Sequence, residues 1–108
     1  MQSFIYVIGP ATPPIKIGIT KNCQRRLKNL QTGHSSVLQI HHAEQVDAAI
    51  AKTLESIIHK NLRLKKTQGE WFNISVEEAI NEIKFAVIRW CDEPSLVQRH
   101  KSKLLPKN

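Results

Sequence analysis

Three observations predict an α+β fold for this chain. Two short runs rich in β-branched residues, Phe4-Ile5-Tyr6-Val7-Ile8 and Ile15-Lys16-Ile17-Gly18-Ile19, lie close together near the start. Two later stretches carry apolar residues at helical spacing. A short basic segment with inward-spaced leucines separates the first pair of strands from a third apolar run. Together they predict a small, mainly antiparallel β-sheet of about three strands flanked by three helices.

The first strand covers residues 3–8 and stops at Gly9-Pro10. The link to the second strand, residues 15–19, contains three prolines and is short, so the two strands pair antiparallel. Residues 22–31 read as a short helix, with Asn22 as its cap, Leu27 and Leu30 facing inward, and Gly33 ending it. A third strand runs from Val37 to Ala43 and can extend to Val46. Asp47 caps a long helix in which Ile50, Leu54, Ile57, Ile58 and Leu62 recur at helical spacing. Residues 63–69 read as a basic loop, and Glu70 to Ile74 as a short aromatic extended segment. Ser75 and Glu78 form a capping box for the last helix, whose inner face carries Val76, Ala79, Ile80, Ile83, Val87 and Trp90. The reading is one domain over residues 3–92 and a basic C-terminal tail, 93–108, that orders on contact or frays.

At 108 residues the chain holds a single core. Hydrophobic content of 41% and charged content of 23% are ordinary for a folded protein. The net charge of +7 is informative, because a small basic protein is drawn to polyanions, and nucleic acid is the usual one. No apolar run is long enough to cross a bilayer, and no segment has the order of a signal peptide. No membrane partner and a cytoplasmic location are expected. Cys23 and Cys91 lack metal-site spacing and are expected to be free thiols.

Several polar residues stand where chemistry is possible. Tyr6 and Lys16 can be neighbours on one face of the strand pair. There a lysine would favour the phenolate and lower the tyrosine pKa, making Tyr6 a general base; the plain alternative is a half-buried tyrosine beside a solvated lysine. Arg26 can hold a phosphate oxygen and stabilise a pentacovalent transition state. With Lys21, Arg25 and Lys28 it can equally line a basic helix that touches DNA backbone without catalysis. Glu55 lies beside the apolar stripe of the long helix, and a carboxylate there suits one Mg²⁺ or Mn²⁺ ion. His59, one turn on, can assist a proton transfer or merely pair with Glu55. Asn73 closes Gly69-Glu70-Trp71-Phe72-Asn73, where flanking aromatics would hold its amide rigidly. His41 and His42 alternate across a strand and carry no assigned role.

The pattern resembles the GIY-YIG nuclease superfamily, and within it the branch labelled the T5 Orf172 or Meiotically-up-regulated-113 DNA-binding domain. Phe4-Ile5-Tyr6 fills the first motif and Lys16-Ile17-Gly18 the second. Lys16 to Thr20, Arg26 with Leu30 to Gly33, Glu55 with His59, and Gly69 to Phe72 match the branch in order. The resemblance covers residues 3–75 and implies roles by position. Tyr6 would be a base or orient the nucleophilic water, Arg26 would bind phosphate, Glu55 would bind one divalent metal ion, and Asn73 would support the site. Two positions depart from it: Lys16 stands where many members have a second tyrosine, and Phe4 replaces a glycine. The function this implies is a metal-dependent endonuclease that hydrolyses DNA phosphodiester bonds at a single site. The alternative is a non-catalytic DNA-binding module that keeps the fold. Either way DNA is the partner; the oligomeric state is not legible.

Overall fold

The structure is a computed structural model, and it describes residues 2–92. The basic tail 93–108 and the side chain of Cys91 lie outside the described residues. In chain order the elements are β1 (Gln2–Gly9), β2 (Ile15–Thr20), α1 (Cys23–Thr32), β3 (Gln39–Asp47), α2 (Ala48–Asn61), a 3₁₀ turn (Arg63–Lys65), β4 (Lys66–Gln68), β5 (Trp71–Phe72) and α3 (Val76–Asp92). The α+β class and the three helices agree with the sequence reading.

The sheet has five strands rather than about three, in the order β3-β1-β2-β5-β4, all antiparallel. The strand that the sequence hides is β4, in the segment 63–69 expected to be a basic loop. Its residues Lys66, Thr67 and Gln68 are all exposed, so no apolar alternation marks it. It is a strand because its backbone pairs with β5. The tight turn between the two places Gly69 at φ 58°, in the left-handed region that glycine enters at no steric cost. A second correction concerns β3. It starts at Gln39, not Val37, and Val37 is 83% exposed in the preceding loop.

The alternation of β1 and β2 divides the core. Ile5, Val7, Ile15 and Ile17 point to one face, under Ala51, Leu54 and Ile58 of α2 and Ala79, Ile83 and Ala86 of α3. Each fully buried large aliphatic or aromatic side chain contributes roughly 1.5–3 kcal/mol. Tyr6 and Ile8 point to the other face, where Cys23, Leu27 and Leu30 of α1 pack on them with Leu38, Ile40 and Trp71. That face is only partly covered, as expected for three helices on one small sheet. The helix starts follow the predicted caps. Asn22 Oδ1 accepts from the Arg25 backbone N–H at 3.0 Å, Asp47 Oδ1 from Ala49 at 2.9 Å, and Ser75 Oγ from Glu78 at 3.0 Å. His41 uses its Nε2–H on the carbonyls of Gly9 and Pro10, both at 3.0 Å, and His42 pairs with Glu44 at 2.9 Å. The Cys23 thiol is free, and burial raises its pKa.

The β1–β2 register sets Tyr6 opposite Gly18 and Ile8 opposite Lys16. The Tyr6 ring lies directly across Gly18: a Cβ added there would sit 2.4 Å from the phenolic oxygen and 2.7 Å from Cζ. A side chain at this position and the observed Tyr6 rotamer exclude each other. Gly33, by contrast, has open space around it and φ −104°. Gly18→Ala is therefore expected to cost about 1–3 kcal/mol through overpacking. Gly33→Ala should be neutral or stabilise by about 0.4–1 kcal/mol by narrowing the unfolded ensemble. Urea midpoints of the two variants measure the contrast.

Candidate active site

β2 ends at Thr20, and a tight polar turn leads into α1. The Asn22 N–H donates to Thr20 Oγ1 at 3.1 Å, and Thr20 Oγ1 donates to the Asn22 carbonyl at 3.3 Å. With Asn22 as cap, Cys23, Arg26, Leu27 and Leu30 share the helix face turned to the sheet. Arg26 thus arrives over β1, and its Nε–H donates to the Tyr6 hydroxyl at 3.0 Å. Arg25 points outward, as its position on the helix predicts, and is exposed. A shallow cleft of about 410 Å³ on the outer face is lined by Asn22, Gln24, Arg25 and Lys28. Lys21 and Lys28 are exposed.

Lys16 does not do what a lysine beside a tyrosine was expected to do. It lies opposite Ile8, diagonal to Tyr6, and its Nζ forms an ion pair with Glu70 Oε1 at 3.0 Å. Burial pushes the Tyr6 pKa up, and the charges of Glu70 and Glu55 push in the same direction. The Arg26 hydrogen bond and charge oppose but do not reverse the shift. The expected lowered phenol pKa is thereby corrected: Tyr6 is a neutral phenol at neutral pH. Glu70 moves the other way. Burial alone would raise its pKa, but the Lys16 hydrogen bond and charge, with His59 and Arg26 adding, hold it below the usual carboxylate range.

Glu55 occupies the buried stripe of α2 and is 5% exposed. One oxygen meets Lys52 Nζ at 3.5 Å. The expected choice for His59 between proton transfer and pairing with Glu55 is narrowed by geometry. Its Nε2–H donates to the Ile17 carbonyl at 2.8 Å, and its ring lies 5.0 Å from that of Phe72. Because a carbonyl only accepts, the proton sits on Nε2, and Nδ1 is the acceptor of the neutral ring.

Electrostatics bind these groups into one cluster. The ionisation of Tyr6 feels Arg26, Glu70 and Glu55; that of Glu70 feels Lys16, His59 and Arg26. The direct contacts among them are the Arg26–Tyr6 hydrogen bond and the Lys16–Glu70 ion pair, while Glu55 and His59, on α2, act on this pair of contacts only through their charge. Asn73 lies immediately after β5. It is exposed, its backbone N–H donates to the Lys65 carbonyl at 2.7 Å, and no described residue bonds its side chain.

Glu70 is the member that sequence reasoning passed over, although it stands inside the Gly-Glu-Trp-Phe motif. The available signal was Lys16 itself. A lysine on the inward face of a central strand needs a counter-charge, and the acidic residue before the paired aromatics is the nearest candidate. Gln31 was also passed over. Its Oε1 accepts from Leu38 N–H at 2.7 Å, and its Nε2 donates to the carbonyls of His34 at 3.3 Å and Ser36 at 2.8 Å. One side chain thus shapes the whole loop between α1 and β3.

The donor set suits only a lightly held ion. Among the described residues no group of three His, Cys, Asp or Glu side chains could hold a metal. Glu55 offers a buried carboxylate that meets the Lys52 ammonium at 3.5 Å. That fits a hard cation that keeps most of its waters and takes one carboxylate plus substrate phosphate oxygens, as Mg²⁺ does.

The T5orf172 domain family matches residues 3–91, and the chain belongs to that family. Over 62 residues it is 39% identical to a protein of Invertebrate iridescent virus 6 described as "Putative KilA-N domain-containing protein 315L". The matched stretch is 56% of this chain and 27% of that protein, so the chain spans only part of its relative. No solved structure matches it significantly.

Tyr6 is the one tyrosine in the chain, so phenolate absorbance reports it alone. It is expected to titrate above the ordinary value of about 10. Replacing Arg26 with Met should move it higher still, because the guanidinium favours the phenolate. The sign for stability follows. Between the ordinary and the raised pKa the unfolded chain loses a proton that the folded one keeps, so stability falls as pH rises above about 10. Titration of Tyr6 below 10 would contradict this geometry.

Proposed function

We propose that the chain is a metal-dependent DNA endonuclease. The observation that carries this reading is the Arg26–Tyr6 hydrogen bond standing in one electrostatic cluster with the buried carboxylate of Glu55. Arg26 commits Nε to Tyr6, which leaves its two terminal nitrogens as a planar fork for a phosphate. The Tyr6 ring is fully buried and its oxygen accepts from Arg26, so Tyr6 would serve by aiming the guanidinium and would not act as the base.

His59, with Nε2 committed to the Ile17 carbonyl, keeps Nδ1 as an acceptor that would take the proton of the attacking water. A new P–O bond forms as the ester P–O bond breaks, and Arg26 stabilises the extra charge on the phosphorus oxygens. A single Mg²⁺ or Mn²⁺ held by Glu55 would offset negative charge on the phosphate and the departing oxygen. Lys16 holds Glu70 rather than Tyr6, and so balances the charge of the site. Lys21, Arg25 and Lys28 on the α1 side would follow the DNA backbone, adding phosphate contacts and salt dependence.

The second reading, a DNA-binding module without catalysis, draws on two observations. Lys16 stands in an ion pair where many superfamily members have a second tyrosine, and the Tyr6 phenol is harder, not easier, to ionise. The basic α1 surface serves either reading.

Plasmid nicking in Mg²⁺ or Mn²⁺ separates the two. Arg26→Ala and Glu55→Ala should each lower the nicking rate about 10²–10³-fold. Glu55→Ala should leave metal-free DNA affinity within about twofold, because it removes no cation. Equal nicking by all three proteins would refute this site; salt-dependent binding with no product from any of them would establish the binding module.

A further inference from the structure

Beside the cluster lies a feature that phosphodiester cleavage does not use. Trp71 of β5 and His34 of the α1–β3 loop stack with ring centroids 5.2 Å apart and planes inclined by 30°. Together with Pro14, Thr67 and Gln68 they line an open cavity of about 250 Å³. The His34 ring is held in place from its own loop. Its Nδ1 accepts from the Ser36 N–H at 3.2 Å, and its carbonyl accepts from Gln31, the residue that shapes the loop.

The cavity is chemically mixed in a particular way. Two aromatic rings and the proline ring supply flat apolar walls. Gln68 brings an exposed side-chain amide with both donors and an acceptor. Thr67 Oγ1 donates to the Trp71 carbonyl at 3.3 Å, so its oxygen keeps acceptor capacity toward the cavity. Nothing charged of acidic sign lines it.

Its place relative to the cluster is fixed by the sheet. Trp71 pairs with Lys16, two residues along β2 from Gly18, over which the Tyr6 ring lies. That is roughly 6.6 Å along the strands and about 4.8 Å across them. The Lys16 ammonium bridges the two regions: it is paired with Glu70 and lies 5.8 Å from the Trp71 ring centroid. A phosphate on Arg26 and a base at the His34–Trp71 pair can thus belong to neighbouring nucleotides of one strand.

We propose that this cavity binds an unstacked nucleobase, so that the preferred substrate is DNA carrying an unpaired nucleotide next to the phosphate held by Arg26. A base inside an intact duplex has both faces covered by its neighbours and cannot enter; an unpaired one can stack on the aromatic pair and bond its edge to Gln68. The shared stacking is sequence-tolerant, and the amide adds a modest preference at most. This inference rests on the reading that DNA is the ligand, and not on cleavage.

The chain has two tryptophans, so Trp90→Phe leaves Trp71 as the only one. That variant is titrated in metal-free buffer with three oligonucleotide duplexes: fully paired, with a single-thymidine bulge, and with the same bulge made abasic. Anisotropy of a label on the DNA gives affinity, and Trp71 emission gives stacking. The bulged duplex should bind about 5- to 150-fold tighter than the paired or abasic ones and should alone quench Trp71 strongly. His34→Ala, at a half-buried loop position, should erase most of that preference while leaving affinity for the paired duplex unchanged. Equal affinity and equal quenching by the three duplexes would overturn the base pocket alone. Absence of binding to any of them would overturn the DNA reading together with it.

Discussion

The hydrogen bond from Arg26 Nε to the Tyr6 hydroxyl is the contact on which the candidate site depends. It connects β1, an inner strand of the sheet, to the helix that carries the basic surface, and it does so across a point where backbone must come very close to a ring. Gly18 provides that clearance; any side chain there would occupy the position of the phenol. Seen this way, the glycine of the second strand motif, the tyrosine of the first and the arginine of α1 are one physical unit. The strand supplies a fixed platform, the missing Cβ lets the ring lie flat on it, and the hydroxyl fixes the direction of the guanidinium.

The remaining charges are arranged around that unit with little redundancy. Burial raises the cost of every ionised group, and each buried one here has a partner. Lys16 is matched by Glu70, whose carboxyl it holds below the ordinary range. Glu55 is paired with Lys52 at 3.5 Å, a looser contact than that of Lys16 with Glu70. His59 is pinned through Nε2 to the backbone of β2, which fixes its tautomer. The site therefore depends on the β1–β2 register twice over. A slip of one residue would turn Tyr6 and Lys16 to the aliphatic face and remove the carbonyl that orients His59.

Much of this was legible in the sequence, for reasons that can be stated residue by residue. The helices announced themselves through Leu54 and Ile58 in one case and Ala79 and Ile83 in the other, because a helix buried on one side must repeat its apolar residues. Their caps were legible because Asn22, Asp47 and Ser75 are short polar side chains just before those repeats. Tyr6, Arg26, Glu55 and His59 were legible as candidates because their order matched a known pattern. What stayed hidden depended on backbone pairing or on partners distant in sequence. β4 carries only exposed polar residues, so nothing but its hydrogen bonds identifies it. Glu70 was invisible as a partner of Lys16 because more than fifty positions of chain separate them. The direction of the Tyr6 shift was misjudged because it is set first by how deeply the fold buries the ring, which a strand pattern alone does not give. Asn73 has the expected neighbours in sequence, but strand β5 ends before it and the residue is exposed.

A double-mutant cycle on Tyr6→Phe and Arg26→Ala, read as the plasmid nicking rate, tests the central unit directly. Removing the hydroxyl releases the guanidinium it aims, so the two losses should overlap: the double variant should fall short of the sum by about 0.5–3 kcal/mol of coupling. Losses that simply add would mean that Tyr6 and Arg26 act independently, and would contradict the account.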